Sequence, residues 1–320
     1  MAYPTPAVTT TTAATFIPEI WSDEIVAAYK KNLVLANIVM KMNFKGKKGD
    51  TVHIPAPTRG SASAKAASTA VTLIADTETE VLVSINQHFE YSRFIEDIVE
   101  AQALNSLRQF YTADAGYALA KQVDTSLIRL GRAFNGATVG TDDYATSNTT
   151  TKAFIGSDGT TAYNSTSSNA AALTDAAIRR TIQRLDDNDT PMDGRFFVIP
   201  PSSRNTLMGL SRYTEQAFVG NGNAIRTGEI GQLYGIPVFT TSNADTGAGN
   251  SATDRICLMG HKDSMVLVEQ VGIRSQTQYK QDYLATLFTS DTLYGVKAMR
   301  TAATTGAALS SSAFALAVPA

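Results

Sequence analysis

A serine pair, Ser202 and Ser203, follows the apolar run in "DGRFFVIPPSSR" (Asp193 to Arg204). A strand that feeds a serine-bearing turn and then a helix is how many α/β enzymes expose a nucleophile. Such a serine needs a base within reach and a third group to orient that base. No histidine lies near this turn in the sequence, and the chain contains no GxSxG elbow. After Pro200 and Pro201, Ser202 is better read as the N-cap of "SSRNTLMGL", its oxygen taking a free backbone N–H.

The other reactive residue types are scattered. His53, His88 and His261 fall in separate segments. His53 and His88 lie on two predicted strands and could face one another; a cross-strand pair explains them better than a metal does. Cys257 is the single cysteine and sits in the apolar "RICLMG", which reads as a small buried hydrophobe. The acidic "DDNDTPMDG" (Asp186 to Gly194) has the look of a calcium loop but the wrong spacing. Counted from Asp189, the third position is Pro191 and the twelfth is Pro200; counted from Asp187, the fifth is Pro191. It reads as a helix end followed by a solvated turn. "KGKK" (Lys45 to Lys48) lacks the interleaved aromatics of a nucleic-acid groove and reads as a solvated hairpin base. No phosphate loop, GxGxxG or HExxH occurs. No catalytic, metal or cofactor site is expected.

The elements that would have to position any site are unusual. Residues 1–15 hold six threonines, two prolines and four alanines and read as an extended arm. Ile25, Tyr29, Leu33 and Leu35 follow as a rough helical stripe. "DTVHIPAP" and "TEVLVSINQHFEY" then alternate with the period of strands, with Val81, Val83, Ile85 and Phe89 on one side. With about twelve residues a side at ~3.3 Å each, this two-stranded arm would reach on the order of 40 Å. An isolated ribbon is marginal in water, so its apolar face must lie on the chain's own body or on a neighbour. From Phe94 to Gly131, spacings of three and four predict a helix of roughly 30 residues. Residues 135–172 are rich in Thr, Ser, Asn and Gly and read as a surface excursion, with a hairpin at "KAFIGSDGTTAY". Thr174 is placed to cap a helix with Ile178, Ile182 and Leu185 on one face. Phe196 to Ile199 then reads as a central strand buried on both faces, ended by the two prolines. A strand broken by Gly235 and Pro237 is expected in "EIGQLYGIPVFTTSNAD", two more short strands in "DRICLMGHKDSMVLVEQ", and an extended run from Leu293 to Met299.

Composition narrows the function. The chain has 320 residues, 43% hydrophobic and 18% charged, with a formal net charge of -2 and a pI near 6.0. A dedicated nucleic-acid binder would carry a basic excess. The N-terminus lacks the basic and apolar regions of a signal peptide, and nothing approaches the ~20 apolar residues of a membrane span. Synthesis and folding in a cytoplasm, with no membrane partner, is the expectation.

The order of these blocks carries a resemblance. "FIPEIW", the extended arm, the long helix, "LDDNDTPMDGRFFVIPPSSRNTLM", "GEIGQLYGIPVFTTSNAD" and "SDTLYGVKAMRTAA" together resemble the major capsid proteins of tailed bacteriophages. The resemblance covers nearly the whole chain. It implies the α+β Hong Kong 97-type capsid fold, with an N-arm, an extended E-loop hairpin, a P-domain with a long spine helix, and an A-domain whose central sheet is flanked by helices. It places the N-arm at 1–43 and the E-loop at 44–92. The P-domain follows at 93–172, with the spine at 94–131 and the polar loop at 135–172. The A-domain takes 173–276, and 277–320 forms a return strand and a C-terminal tail. It implies pentamers and hexamers of this chain in an icosahedral shell around double-stranded DNA, held without sequence-specific contacts. A separate scaffolding protein and a portal are the implied partners, with a decoration protein as an optional one. Phe16, Trp21, Arg59, Lys65, Val81, Val83 and Phe89 are expected at contacts between subunits. Some relatives cross-link through an E-loop lysine; Lys65 lies near the tip, but no partner asparagine or catalytic glutamate matches. The alternatives are another virion subunit of a tail or tube, which the long helix disfavours, and an α/β enzyme with a pocket beside Ser202.

Overall fold

The computed structural model describes residues 33–45, 48–57, 62–71, 73, 78–96, 106–134, 153–164, 169–210, 231–247, 254–300 and 312–320. The expected contacts Phe16, Trp21 and Arg59, most of the expected N-arm, and the polar stretch before Ala153 lie outside these residues.

Among the described residues the strands form two larger sheets and one two-stranded hairpin. The first sheet has the order β1-β10-β11-β4. Its strands are β1 (Met40–Asn43), β4 (Gln87–Glu96), β10 (Met265–Lys280) and β11 (Ala285–Ala298). The second has the order β5-β12-β9-β6-β8-β7. It comprises β5 (Phe154–Ile155), β6 (Arg195–Ile199), β7 (Gln232–Leu233), β8 (Ile236–Thr240), β9 (Arg255–His261) and β12 (Ala313–Val318). The hairpin pairs β2 (Thr51–Pro57) with β3 (Glu78–Ser84). Among the described residues the α-helices are α1 (Leu35–Ile38), α2 (Ser106–Arg129), α3 (Gly131–Phe134), α4 (Asp175–Asp187) and α5 (Pro201–Met208).

The apolar run "RFFVI" is β6, buried at every residue. It lies between β9 and β8, pairing antiparallel with one and parallel with the other. Successive side chains of a strand point to opposite faces, so β6 feeds two cores. Phe196 and Val198 join Leu35, Leu127, Ile128, Leu258 and Tyr294. Phe197 and Ile199 join Ile178 and Leu185 of α4, Leu207 of α5, and Cys257 and Met259 of β9. Two covered faces are why the run is continuous rather than alternating. Thr174 caps α4, its side chain accepting from the Ala177 N–H, as the sequence predicts. The "SDGT" hairpin also forms. Asp158 accepts from the N–H groups of Thr160 and Thr161, and Gly159 takes φ +64.

Several expectations are corrected. Phe94 does not open a helix. β4 runs through it to Glu96, in register with β11 at Leu287 for Phe94 and Ala285 for Glu96, and the described helix begins at Ser106. At 24 residues, α2 is about 36 Å long at ~1.5 Å per residue. β10 is unbroken across 276/277 and belongs to the first sheet, so the second sheet hands over to the first at the turn Lys262–Ser264. The C-terminus is no tail: β12 is buried at every residue and sits between β9 and β5. Phe314, Leu316 and Val318 fill the α4 core. Among the described residues the β2–β3 hairpin pairs seven residues a side, about 23 Å at ~3.3 Å each, and at its base the chain turns at Ile85 and Asn86 into β4.

Candidate assembly surfaces

At the turn after β6 the described residues do not place a base beside either serine. Pro200 is the N-cap of α5, no side chain caps it, and a proline fills its first turn. The expected cap, Ser202, instead donates its hydroxyl to the Pro319 carbonyl at 3.0 Å, tying α5 to the end of β12. A proline at the first helical position presets φ and has no N–H to satisfy, so Ser202 is released for that contact. Ser203 is buried with its Oγ 3.3 Å from Cys257 Sγ. Burial pushes the Cys257 thiol up to about 12, only partly countered by the Ser203 hydrogen bond, so it is not a thiolate at neutral pH. A cavity of about 220 Å³ beside Ser202 is lined by Ser203, Asn205, Thr206 and Pro319 among others, and by no histidine or acidic side chain.

All three histidines have structural partners elsewhere. His53 and His88 do not face one another. His53 pairs across the hairpin with Glu80 at 2.8 Å. His88 lies on a different sheet, 3.3 Å from Asp291, which also receives both arms of Arg274. Nδ1 of His261 accepts from the Asp263 N–H, so its Nε2–H donates to the Asp193 carbonyl at 2.7 Å. The acidic turn is braced from inside: buried Arg195 donates to Asp186 and Thr190 at 2.6 Å and to Pro191 at 2.9 Å. Lys45 and Lys48 are exposed. Among the described residues no group of three or more His, Cys, Asp or Glu is placed to hold a metal, and no helix is long and apolar enough to cross a membrane.

What the fold does build is arms. The hairpin lays Val52, Val83 and Ile85 on Val266 and Val268 of the first sheet. Val81 and Val83 are thus covered by their own chain, at 2% and 0% exposure. Phe89 stacks on Tyr294 at 6.0 Å and packs on the main core. All three make contacts within their own chain, Val81 and Val83 fully and half-buried Phe89 on one side. Period-two alternation identifies a face that must be covered, but not which molecule covers it. The free apolar surface lies on the other parity and at the tips: Leu82 on the outer face, Val71 and Leu73 in the loop, with Leu73 88% exposed. Lys65 is exposed in the same loop. A second group crowns the β10–β11 hairpin, where exposed Phe94, Tyr283 and Leu284 meet and the rings of Phe94 and Tyr283 lie 5.7 Å apart. Exposed hydrophobes scattered singly need no explanation, whereas grouped ones mark contact surfaces.

The two hairpin edges differ. The Ile85 N–H donates to the Asp50 carbonyl, so Asp50 and Ile85 are a hydrogen-bonded pair and the pairs alternate from there. In the observed register Thr51, His53, Pro55 and Pro57 therefore direct their nitrogens outward. Two of those four positions are prolines, which closes the β2 edge to a further strand. The β3 edge, with Glu78, Glu80, Leu82 and Ser84, keeps every N–H.

A hairpin and a sheet tip that carry grouped exposed hydrophobes suit a subunit built for repeated contacts. A family model described as phage capsid protein matches residues 20–304. The chain belongs to the phage capsid protein family. It is a major capsid protein, a structural subunit of the virion shell that assembles with copies of itself. Its fold is the Hong Kong 97-type capsid fold. A solved structure from Mycobacterium phage Che8 superposes with a TM-score of 0.71 at 21% identity, over 94% of this chain and 97% of that one. The capsid structure of cyanophage P-SCSP1u gives 0.71 at 18%, over 96% and 94%. The capsid of Ralstonia phage GP4 gives 0.65 at 14%, over 95% of each. No curated protein matches the sequence.

Proposed function

We propose that this capsid protein forms pentamers and hexamers that close into an icosahedral shell around the double-stranded DNA of a tailed phage. Residues 1–43 act as an arm toward a neighbour, and 44–92 act as the E-loop that overlaps the adjacent subunit. The observation that carries this is the hairpin: its inner face is seated on its own chain, while Leu82, Val71 and Leu73 are free. Contacts with neighbours then fall on these residues, on Lys65 and on the tip at Phe94 and Tyr283, together with Phe16, Trp21 and Arg59. Near-neutral charge suits the lining, since each neutralised phosphate would add salt-dependent affinity for the packaged DNA. A separate scaffolding protein and a portal complete assembly in the host cytoplasm, a decoration protein is accommodated outside, and the chain catalyses no reaction.

Co-expression with the scaffolding partner, followed by negative-stain microscopy, tests this. Shells or capsomer rings are expected; a monodisperse monomer that hydrolyses an ester overturns it. Deleting Thr58 to Ser68 is expected to leave the second sheet folded and to block assembly. Normal particles from that deletion would remove the E-loop assignment.

A further inference from the structure

Asp124 is a fully buried carboxylate near the C-terminal end of α2. Its Oδ1 accepts from the backbone N–H of Val34 at 3.2 Å and of Ala36 at 3.3 Å. Its Oδ2 accepts from Asn243 Nδ2 at 3.0 Å. All three donors are neutral and none belongs to α2. Two come from the segment that leads into β1, and one from the loop that follows β8. That loop is itself fixed to the second sheet, because the Thr241 N–H donates to the Ile199 carbonyl and the Asn243 N–H to Thr241 Oγ1. Asn243 Nδ2 also reaches Thr125 Oγ1 at 3.2 Å. One side chain therefore joins the root of the N-terminal segment, the long helix and the second sheet.

Packing alone does not require an acid here. Val34 and Leu35 already bury against Leu127 and Ile128, and an apolar residue would add to that core. Apolar contact is non-directional, whereas hydrogen bonds fix angle as well as distance. A buried carboxylate is costly unless its donors are in place, so this one enforces a single geometry of the three elements.

We propose that Asp124 is a positioning residue for shell assembly: it sets the direction in which the chain before Leu33 leaves the body and locks that direction to the second sheet. This rests on the reading of residues 1–43 as an arm that engages a neighbour. The test compares wild type with D124A, N243A and the reciprocal swap D124N/N243D, which keeps an acceptor for Val34 and Ala36 and a hydrogen bond between 124 and 243, moves the charge to 243, and gives up the donation to Thr125. Amide exchange on free subunits and the yield of closed particles after co-expression with the scaffolding partner are the two readouts. In D124A, exchange at Val34 and Ala36 is expected to rise about 10- to 100-fold, the loss of bonds to a charged acceptor, while β9 and β10 amides keep wild-type protection. Closed shells are expected to give way to open or irregular ones, and the swap to restore both readouts. N243A, which cuts only the tie to the second sheet, is expected to lower shell yield with β9 and β10 still protected; it decides the matter if D124A does not fold. Wild-type shell yield from folded D124A or N243A overturns the proposal. So does loss of shells in D124A with Val34 and Ala36 still protected. A wild-type chain that forms no particles refutes the assembly reading instead, and the exchange data still decide whether Asp124 holds the arm root.

Discussion

Gly295→Ala is a direct test of how the β2–β3 hairpin is seated. Gly295 is a buried position of β11, opposite Val268. A Cβ built there falls 2.5 Å from the Ser84 carbonyl oxygen, 3.1 Å from the Ser84 carbonyl carbon and 3.2 Å from Ile85 Cα. All three are backbone atoms, so no rotamer change relieves the clash. Ordinary C···O contact begins near ~3.3 Å, so the hairpin base must lift by about 0.8 Å. A gap of that size forfeits roughly a quarter to a half of the dispersion energy at each contact it opens. The contacts opened are those of Val52, Val83 and Ile85 on Val266 and Val268. Overpacking of this kind costs about 1–3 kcal/mol. At ~2–4 °C per kcal/mol for a chain of a few hundred residues, that is a fall in Tm of several degrees.

The assay is thermal unfolding of soluble subunits by circular dichroism, with limited proteolysis read by mass spectrometry. Cleavage between Pro57 and Glu78 is expected to accelerate in the variant. Gly116→Ala is the matched control. Gly116 lies inside α2, and a Cβ there meets nothing within 4 Å. Exchanging a mid-helix glycine for alanine stabilises by about 0.5–1 kcal/mol, so the two alanines should move Tm in opposite directions. If Gly295→Ala melts at or above wild type with unchanged cleavage, the hairpin base is not seated on β11.

Three further outcomes follow from the second sheet and its turns. Arg195→Ala removes three hydrogen bonds that brace the turn after α4; a loss of about 2–4 kcal/mol is expected in denaturant titration. Thr174→Ala removes the α4 cap and is expected to cost about 1 kcal/mol in the same titration. For Asp158, partial burial would raise the carboxyl, but hydrogen bonds from Thr161 and Thr160 outweigh it and hold it well below the usual range. A depressed folded-state value stabilises above the unfolded value near ~4 and is lost as pH falls through the folded one. The advantage of wild type over Asp158→Asn should therefore be full at neutral pH and shrink below about pH 4, as read from melting temperatures across an acid series.

Much of the fold was legible wherever a segment's own residues fix its environment. β6 was readable because both of its faces are covered, and α4 because a capped amphipathic stripe needs only one partner surface. β10 was not. Its outer half, "GIRSQTQYK", is largely exposed, and it is extended because β11 pairs with it as far as Lys280 opposite Ala285. β12 was hidden for the opposite reason. "AFALAV" alternates alanine with Phe314, Leu316 and Val318, a strand pattern, but it follows an Ala- and Ser-rich stretch that reads as a tail. Only the slot between β9 and β5 makes it a core strand. The turn at Ser202 shows the same dependence: its proline pair was visible, but the β12 end that takes its hydroxyl was not.

The expected subunit contacts turned on a subtler ambiguity. Val81 and Val83 mark a face of the hairpin that water cannot wet, and the sequence offers two covers for it, the chain's own sheet or a neighbour's. Gly295 decides between them, because its missing Cβ is what lets Ser84 approach β11 within the chain. Once that face is satisfied internally, the hairpin has only its opposite parity and its tip to offer outward, which are Leu82, Val71 and Leu73. The prolines at 55 and 57 close one edge to a further strand. A neighbour that pairs with this arm must therefore arrive along β3 or over the face that carries Leu82. Substitutions at Leu73 and Leu82 should lower assembly without lowering the melting temperature of the free subunit, whereas those at Val83 should lower both.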